Sequence, residues 1–222
     1  MKYLLFLLLL SHNLLAQSKG YYDISSLEFL SQPIANQPID AKNPNNFLLD
    51  AAIFHATNEQ RLKYNLRVFT YNLPLHKATI GHSEAMIEQD FYSHVNPNNK
   101  TERNLQDRVE NQTREFRAMG ENIAQHDIIE TGKNSRFCFQ PPKNDGDYFF
   151  VDCTTKKPLY MMTYAVLARS IVNGWMNSPH HRENILNPQY TMMACSARLS
   201  KDPFREPRSP FARITQDLGG LN

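Results

Sequence analysis

The chain has 222 residues, 24 Lys and Arg against 22 Asp and Glu, and three cysteines. A formal charge of +2 gives no footprint for nucleic acid or an anionic bilayer as the obvious partner. After residue 16 no apolar run approaches the roughly 20 residues needed to cross a membrane, so no transmembrane segment is expected. The length suits one domain with a sizeable core and a tail.

Residues 1–16 read as a secretory signal: Lys2 supplies the positive start, Leu4 to Leu10 is an unbroken apolar run, and Ala16 suits a cut before Gln17. An uncleaved N-terminal anchor is the alternative. Loss of this segment removes one lysine and no acid, so +2 becomes +1. Export to the cell envelope or beyond then follows, and disulfides are permitted.

Residues 17–45 are rich in Gln, Asn, Pro and Ser, and Pro33, Pro38 and Pro44 interrupt any regular element. They read as a linker or a loosely docked arm, with the folded domain beginning near Asn46. A helical stripe at 47, 51, 54, 58 and 62 follows, with Asn45 or Asn46 as N-cap. Pro74 opens a second helix that presents Leu75, Ala78, His82, Met86 and Gln89 on one face, which makes His82 a hydrogen-bonded core residue. The segment 93–118 reads as a loop with a short helix around 103–110. A third long helix covers 163–177, with Tyr164, Ala168, Ile171 and Trp175 on its apolar face. Ser178-Pro179 reads as the cap and first position of another short helix. Residues 190–199 and 211–218 alternate as strands, with Ala212, Ile214, Gln216 and Leu218 sharing one face. Helices first and antiparallel strands last predict an α+β domain.

The stretches 136–140 and 148–153 are aromatic and β-prone, with a Pro-Pro-Lys-Asn-Asp-Gly turn signal between them. A hairpin turning between Asp145 and Gly146 sets Cys138 directly opposite Cys153, within disulfide reach. Closing a loop of about 15 residues stabilises by roughly 3 kcal/mol in the chain-entropy model. Cys195 is then the odd cysteine, buried in a strand.

Five motifs stand in order: Asn58-Glu-Gln-Arg61; His82-Ser83 with Met86, ending in Phe91-Tyr-Ser-His94; Gly120-Glu-Asn-Ile123; Trp175-Met-Asn-Ser-Pro-His-His-Arg-Glu-Asn-Ile-Leu186; and Thr215-Gln-Asp-Leu-Gly219. With them the chain resembles the CAP superfamily of cysteine-rich secretory, antigen 5 and pathogenesis-related proteins, nearest its compact bacterial branch, over residues 47 to 219. The resemblance implies an α-β-α sandwich with a small antiparallel sheet flanked by helices. It also implies a cleft of two histidines and up to two glutamates. His94 and His181 match the histidines, and Glu121 matches one glutamate. The second glutamate would stand three residues after Trp175, where this chain has Ser178. His180 fills a position that is usually small, and 127–162 is longer than the usual connection, an insertion able to cover the cleft or recruit a partner.

Two imidazoles and a carboxylate are a donor set for zinc or another divalent metal, so the expected metal ligands are His94, His181 and Glu121. No motif calls for an organic cofactor. The competing reading is a hydrogen-bonded knot that ties loops to the sheet. Asn122 is expected to satisfy backbone groups, and Arg182 and Glu183 to lie exposed on a short helix. The favoured function is a secreted binding or interaction module, its cleft taking an ion and a small lipid, glycan or peptide ligand without turnover. The alternative is a metal-dependent hydrolase with Glu121 as catalytic general base, against which the missing second acid counts. A thiol enzyme at Cys195 lacks an adjacent base.

Overall fold

The computed structural model describes residues 20–131, 136–142 and 146–221. The expected signal at 1–16 lies outside these residues. The chain folds as an α-β-α sandwich. Its central sheet runs β1 (Thr70–Tyr71), β5 (Met192–Leu199), β6 (Phe211–Gly220), β2 (Ala118–Asp127). The β5–β6 pairing is antiparallel, as expected; β2, a strand with no expected counterpart, pairs antiparallel with β6, and the two-residue β1 adds a parallel edge. Helices α2 (Asn46–Lys63), α5 (Tyr164–Asn177) and α6 (Pro179–Leu186) lie on one side, and α3 (Leu73–Glu88) and α4 (Leu105–Glu110) on the other. Among the described residues no helix is long and apolar enough to cross a membrane.

The helix boundaries follow local chemistry. Asn45 caps α2 by accepting from the Leu48 N–H at 3.1 Å, Asn72 caps α3 through Leu75, and Thr163 caps α5 through Val166. Ser178 precedes α6 as expected, but its side chain makes no capping bond.

The segment expected to be a linker or arm is instead part of the folded body from Gly20 onward. Helix α1 (Ser26–Ser31) and a 3₁₀ turn at Pro33–Asn36 lay Phe29, Leu30, Ala35 and Ile39 into the main core. The prolines that exclude a long helix leave room for these short turns, and the apolar side chains between them supply the burial. His55 on α2 anchors the arm. Its Nδ1 meets Ser26 Oγ at 3.0 Å, its Nε2 meets the Tyr21 carbonyl at 2.7 Å, and the Phe29 ring stacks on it at 4.4 Å.

The Asn-x-x-Arg motif is structural. Asn58 closes both backbone bonds of Phe69, and Arg61 donates to the Ile185 and Asn187 carbonyls at the end of α6. The block from Trp175 to Leu186 serves β2. Tyr190 Oη, Asn184 Nδ2 and Trp175 Nε1 donate to the carbonyls of Met119, Glu121 and Ile123 at 3.0, 3.2 and 3.0 Å. Alternate carbonyls along the outer edge of β2 are thereby satisfied by side chains.

Gly219, the closing residue of the fifth motif, lies flat under the Phe116 ring, which occupies the space a Cβ would need. Gly219→Ala is expected to push that ring aside and lower stability by about 1–3 kcal/mol, measured by urea denaturation. An unchanged midpoint would show that Phe116 moves freely.

Between β2 and α5 lies a two-stranded antiparallel sheet, β3 (Phe137–Gln140) and β4 (Phe149–Asp152), and Cys138 and Cys153 are joined as predicted, with Cα atoms 5.0 Å apart. The register differs from the expected one by two residues. Cys138 stands opposite Val151, and Cys153 pairs through its N–H with the Arg136 carbonyl. The bridge is therefore diagonal, a span that cross-strand geometry also tolerates.

Candidate functional site

Sheet register distributes the third motif between two layers. Glu121 pairs with Asp217 and Asn122 with Gln216 across β2 and β6, so the two members of each pair share a face. Glu121 and Asp217 face α3 and α4, whereas Asn122 and Gln216 face α2. His94, in the loop after α3, and His181, in the first turn of α6, approach from either side of β2.

Glu121 is the hub. Its side chain is only 4% exposed, and both of its oxygens are used. Oε1 accepts from His94 Nδ1 at 2.7 Å, and Oε2 accepts from Arg108 Nη2 on α4. Arg108 Nη1 also reaches the carbonyls of His94 and Arg103, so one guanidinium fixes both the acid and the loop that carries the histidine. Burial works to raise the Glu121 pKa, but the hydrogen bond from His94 and the positive charge of Arg108 bring it below the usual carboxylate value. The bond to Glu121 in turn raises the His94 pKa against the effect of burial. Because Nδ1–H donates to Glu121, Nε2 is the imidazole atom turned away from that acid, and the His94 side chain is 54% exposed.

His181 is half-buried. Burial, then the neighbouring charges of His94 and His180, lower its pKa, so it presents a neutral imidazole at neutral pH. Its backbone is moored to the sheet: Asn122 Nδ2 donates to the His181 carbonyl at 3.2 Å and to Gln216 Oε1 at 2.8 Å, and Asn184 Nδ2 donates to Asn122 Oδ1 at 2.9 Å. Gln216 continues inward to Thr57 Oγ1 at 2.9 Å. Asn122 thus satisfies backbone groups, as expected. Arg182 and Glu183 are exposed, and Trp175 is buried in the core.

His82 is buried, its Nε2 bonded to the Ser93 carbonyl at 3.0 Å just before His94. Burial and the Arg108 charge push it down to about 4. Cys195 is buried, its thiol pushed up by burial and held near the Gln216 amide, with no reactive character.

Two residues of the site escape sequence reasoning. Arg108 lies on a short polar helix with no periodic signal. Asp217 is fully buried, and neither oxygen meets a hydrogen-bond donor. Burial and then the Glu121 charge push its pKa well up, so this acid holds a proton, with the Glu121 carboxylate across the strand pair as the acceptor at hand. The site therefore contains a second carboxyl, but on the closing strand rather than at Ser178. The signal available was an acid inside an otherwise core-facing strand motif.

The order of the motifs, the sandwich, and the meeting of His94 with Glu121 at the edge of β2 define a family, and a comparison with known proteins agrees. The model of the CAP family, the cysteine-rich secretory protein family, matches residues 54–204, and the chain belongs to that family. The chain is 30% identical over 139 residues to an uncharacterized membrane protein, YlbC, of Bacillus subtilis (strain 168); the match takes in 63% of this chain and 28% of that one. The present chain therefore corresponds to under a third of that relative. Among solved structures it resembles an extracellular protein containing a SCP domain from Bacillus anthracis str. Ames, with a TM-score of 0.50 at 23% identity over 81% of this chain and 42% of the other. It also resembles an outer surface protein from Borrelia burgdorferi, with a TM-score of 0.50 at 14% identity over 83% of this chain and 98% of the other. At these identities the two structures speak to the fold.

Proposed function

We propose that this is an exported binding module whose cleft, between His94 and His181, holds a divalent ion together with a small lipid, glycan or peptide ligand and does not turn it over. Export is supported by the apolar run at Leu4 to Leu10 and by the extracellular and outer-surface character of the similar proteins. The observation that carries the binding reading is the state of Glu121. Its two oxygens are engaged by His94 and Arg108, and these partners hold its pKa below the usual carboxylate value, which makes it a weak proton acceptor. That geometry disfavours the hydrolytic alternative, in which Glu121 is the general base.

The donor set fits an ion through two imidazoles rather than three ligands. Among the described residues no group of three His, Cys, Asp or Glu side chains is arranged around a common point. His94 and His181 would hold the ion, and Glu121 would fix the tautomer of His94 from behind. A bound ion would supply a Lewis-acidic contact for a ligand oxygen.

Zinc titrated calorimetrically into metal-stripped protein at neutral pH is expected to give saturable heat. His94→Ala with His181→Ala should abolish it, and Glu121→Gln should weaken it by about 10- to 100-fold. Uptake should fall as the pH drops through the raised pKa of His94, since only the neutral imidazole ligates. Absence of heat from the wild type, or heat that survives loss of both histidines, would remove the ion from this proposal.

A further inference from the structure

The inserted hairpin carries a concavity of about 530 Å³ that shares no lining residue with the His94 cleft. Strand β4 is bordered by β3 on one side and by residues 157–160 on the other. The Asp152 N–H donates to the Lys157 carbonyl, and the Leu159 N–H to the Phe150 carbonyl, both at 2.9 Å. Val151 bridges Pro158, so Phe149 stands opposite Tyr160, with Gln140 opposite Phe149 on the other flank. By the two-residue alternation of strands, these five side chains share one face. All five line the concavity, and the rings of Phe149 and Tyr160 are 63% and 71% exposed. Lys156 sits on the lining with no carboxylate partner among the described residues, whereas Asp147, the acid that shares the lining, is paired with Lys42.

A soluble monomer seldom leaves two large rings beside each other in water. Here the Cys138–Cys153 bridge holds the strands beneath them, so the walls are set before anything binds. The volume lies within the range of small-ligand sites, and the lining is mostly apolar, its polar groups being Lys156, the Gln140 amide, two tyrosine hydroxyls and Asp147, whose charge Lys42 answers. An elongated apolar group ending in one negative charge complements it.

We propose that this hairpin face binds a single-chain amphiphile with an anionic head, the chain lying between Phe149 and Tyr160 over Val151 and Pro158, and the head meeting Lys156.

The test is titration of dodecanoate, below its self-association concentration, into the full chain, followed by calorimetry. One saturable site is expected. Phe149→Ser with Tyr160→Ser should weaken it by at least about tenfold. Lys156→Glu should weaken dodecanoate more than it weakens neutral dodecanol. His94→Ala should leave the affinity unchanged, which separates this site from the cleft. Absence of saturable uptake, or uptake undiminished in the double serine variant, would overturn the proposal. Should a variant expose its thiols and fail to fold, amide shift mapping on the wild type decides. Perturbations centred on residues 137–160 support the site, and perturbations centred on His94 and His181 overturn it.

Discussion

Arg108→Met is expected to cost about 3–5 kcal/mol of stability, the usual effect of removing one partner from a buried ion pair. Arg108 and Glu121 are both almost fully enclosed, and the same guanidinium ties down the carbonyls of His94 and Arg103. Without it, Glu121 would be left buried beside Asp217, with only a part-exposed histidine to answer its charge. Urea denaturation at pH 7 reads the loss directly. The pair Arg108→Met with Glu121→Gln should recover much of it, because no uncompensated charge then remains. A single variant as stable as the wild type would mean that water, rather than Arg108, satisfies Glu121.

The second large effect is a pH dependence carried by His55. In the folded protein burial pulls this imidazole down from 6.5 to about 4, partly offset by its bond to the Tyr21 carbonyl. Below pH 6.5 the unfolded chain takes up a proton that the folded chain refuses until about pH 4. Stability is therefore lost as the pH falls through that window, by about 1.4 kcal/mol per unit and roughly 3 kcal/mol in all. His82 acts in the same direction, and Asp217, already protonated in the fold, acts in the opposite one. The contribution of His55 is isolated by comparing wild type with His55→Gln between pH 7 and 4. The variant should lack one proton's worth of slope. Parallel curves would show that His55 protonates without disturbing the arm.

Element type was readable in this chain wherever one face met the core and the other met water. Helices α2, α3 and α5 announce themselves through apolar stripes and Asn or Thr caps, and the hairpin through its turn residues. Strand β6 shows where the pattern fails. Its apolar alternation points Ala212, Ile214, Gln216 and Leu218 one way and suggests water on the other face. In the fold that other face lies under α3, where Arg213, Thr215 and Asp217 are buried: Arg213 bonds to the Met86 carbonyl and Asp90, Thr215 to Ser83, and protonated Asp217 lies beside Glu121. A polar residue buried with a partner and one in solvent look alike in a sequence, so Asp217 and Arg108 could not be placed from composition or period. The arm at 20–45 misled for a related reason. Its apolar residues fall in turns of four to six residues, too short for any period to emerge. For the His94–Glu121 pair the motifs sufficed, because register across β6 leaves Glu121 a single orientation.

The side chains of Trp175, Asn184 and Tyr190 occupy hydrogen-bond sites on β2 that a foreign strand would otherwise seek. The flank of the sheet is thus closed to cross-chain growth by side chains from the end of α5 to Tyr190, the stretch that carries His181. Any lesion that lifts this block would open a templating surface at the moment it moves His181 away from β2. Displacement of His181 and the onset of fibrillar self-association should therefore arise together in such variants.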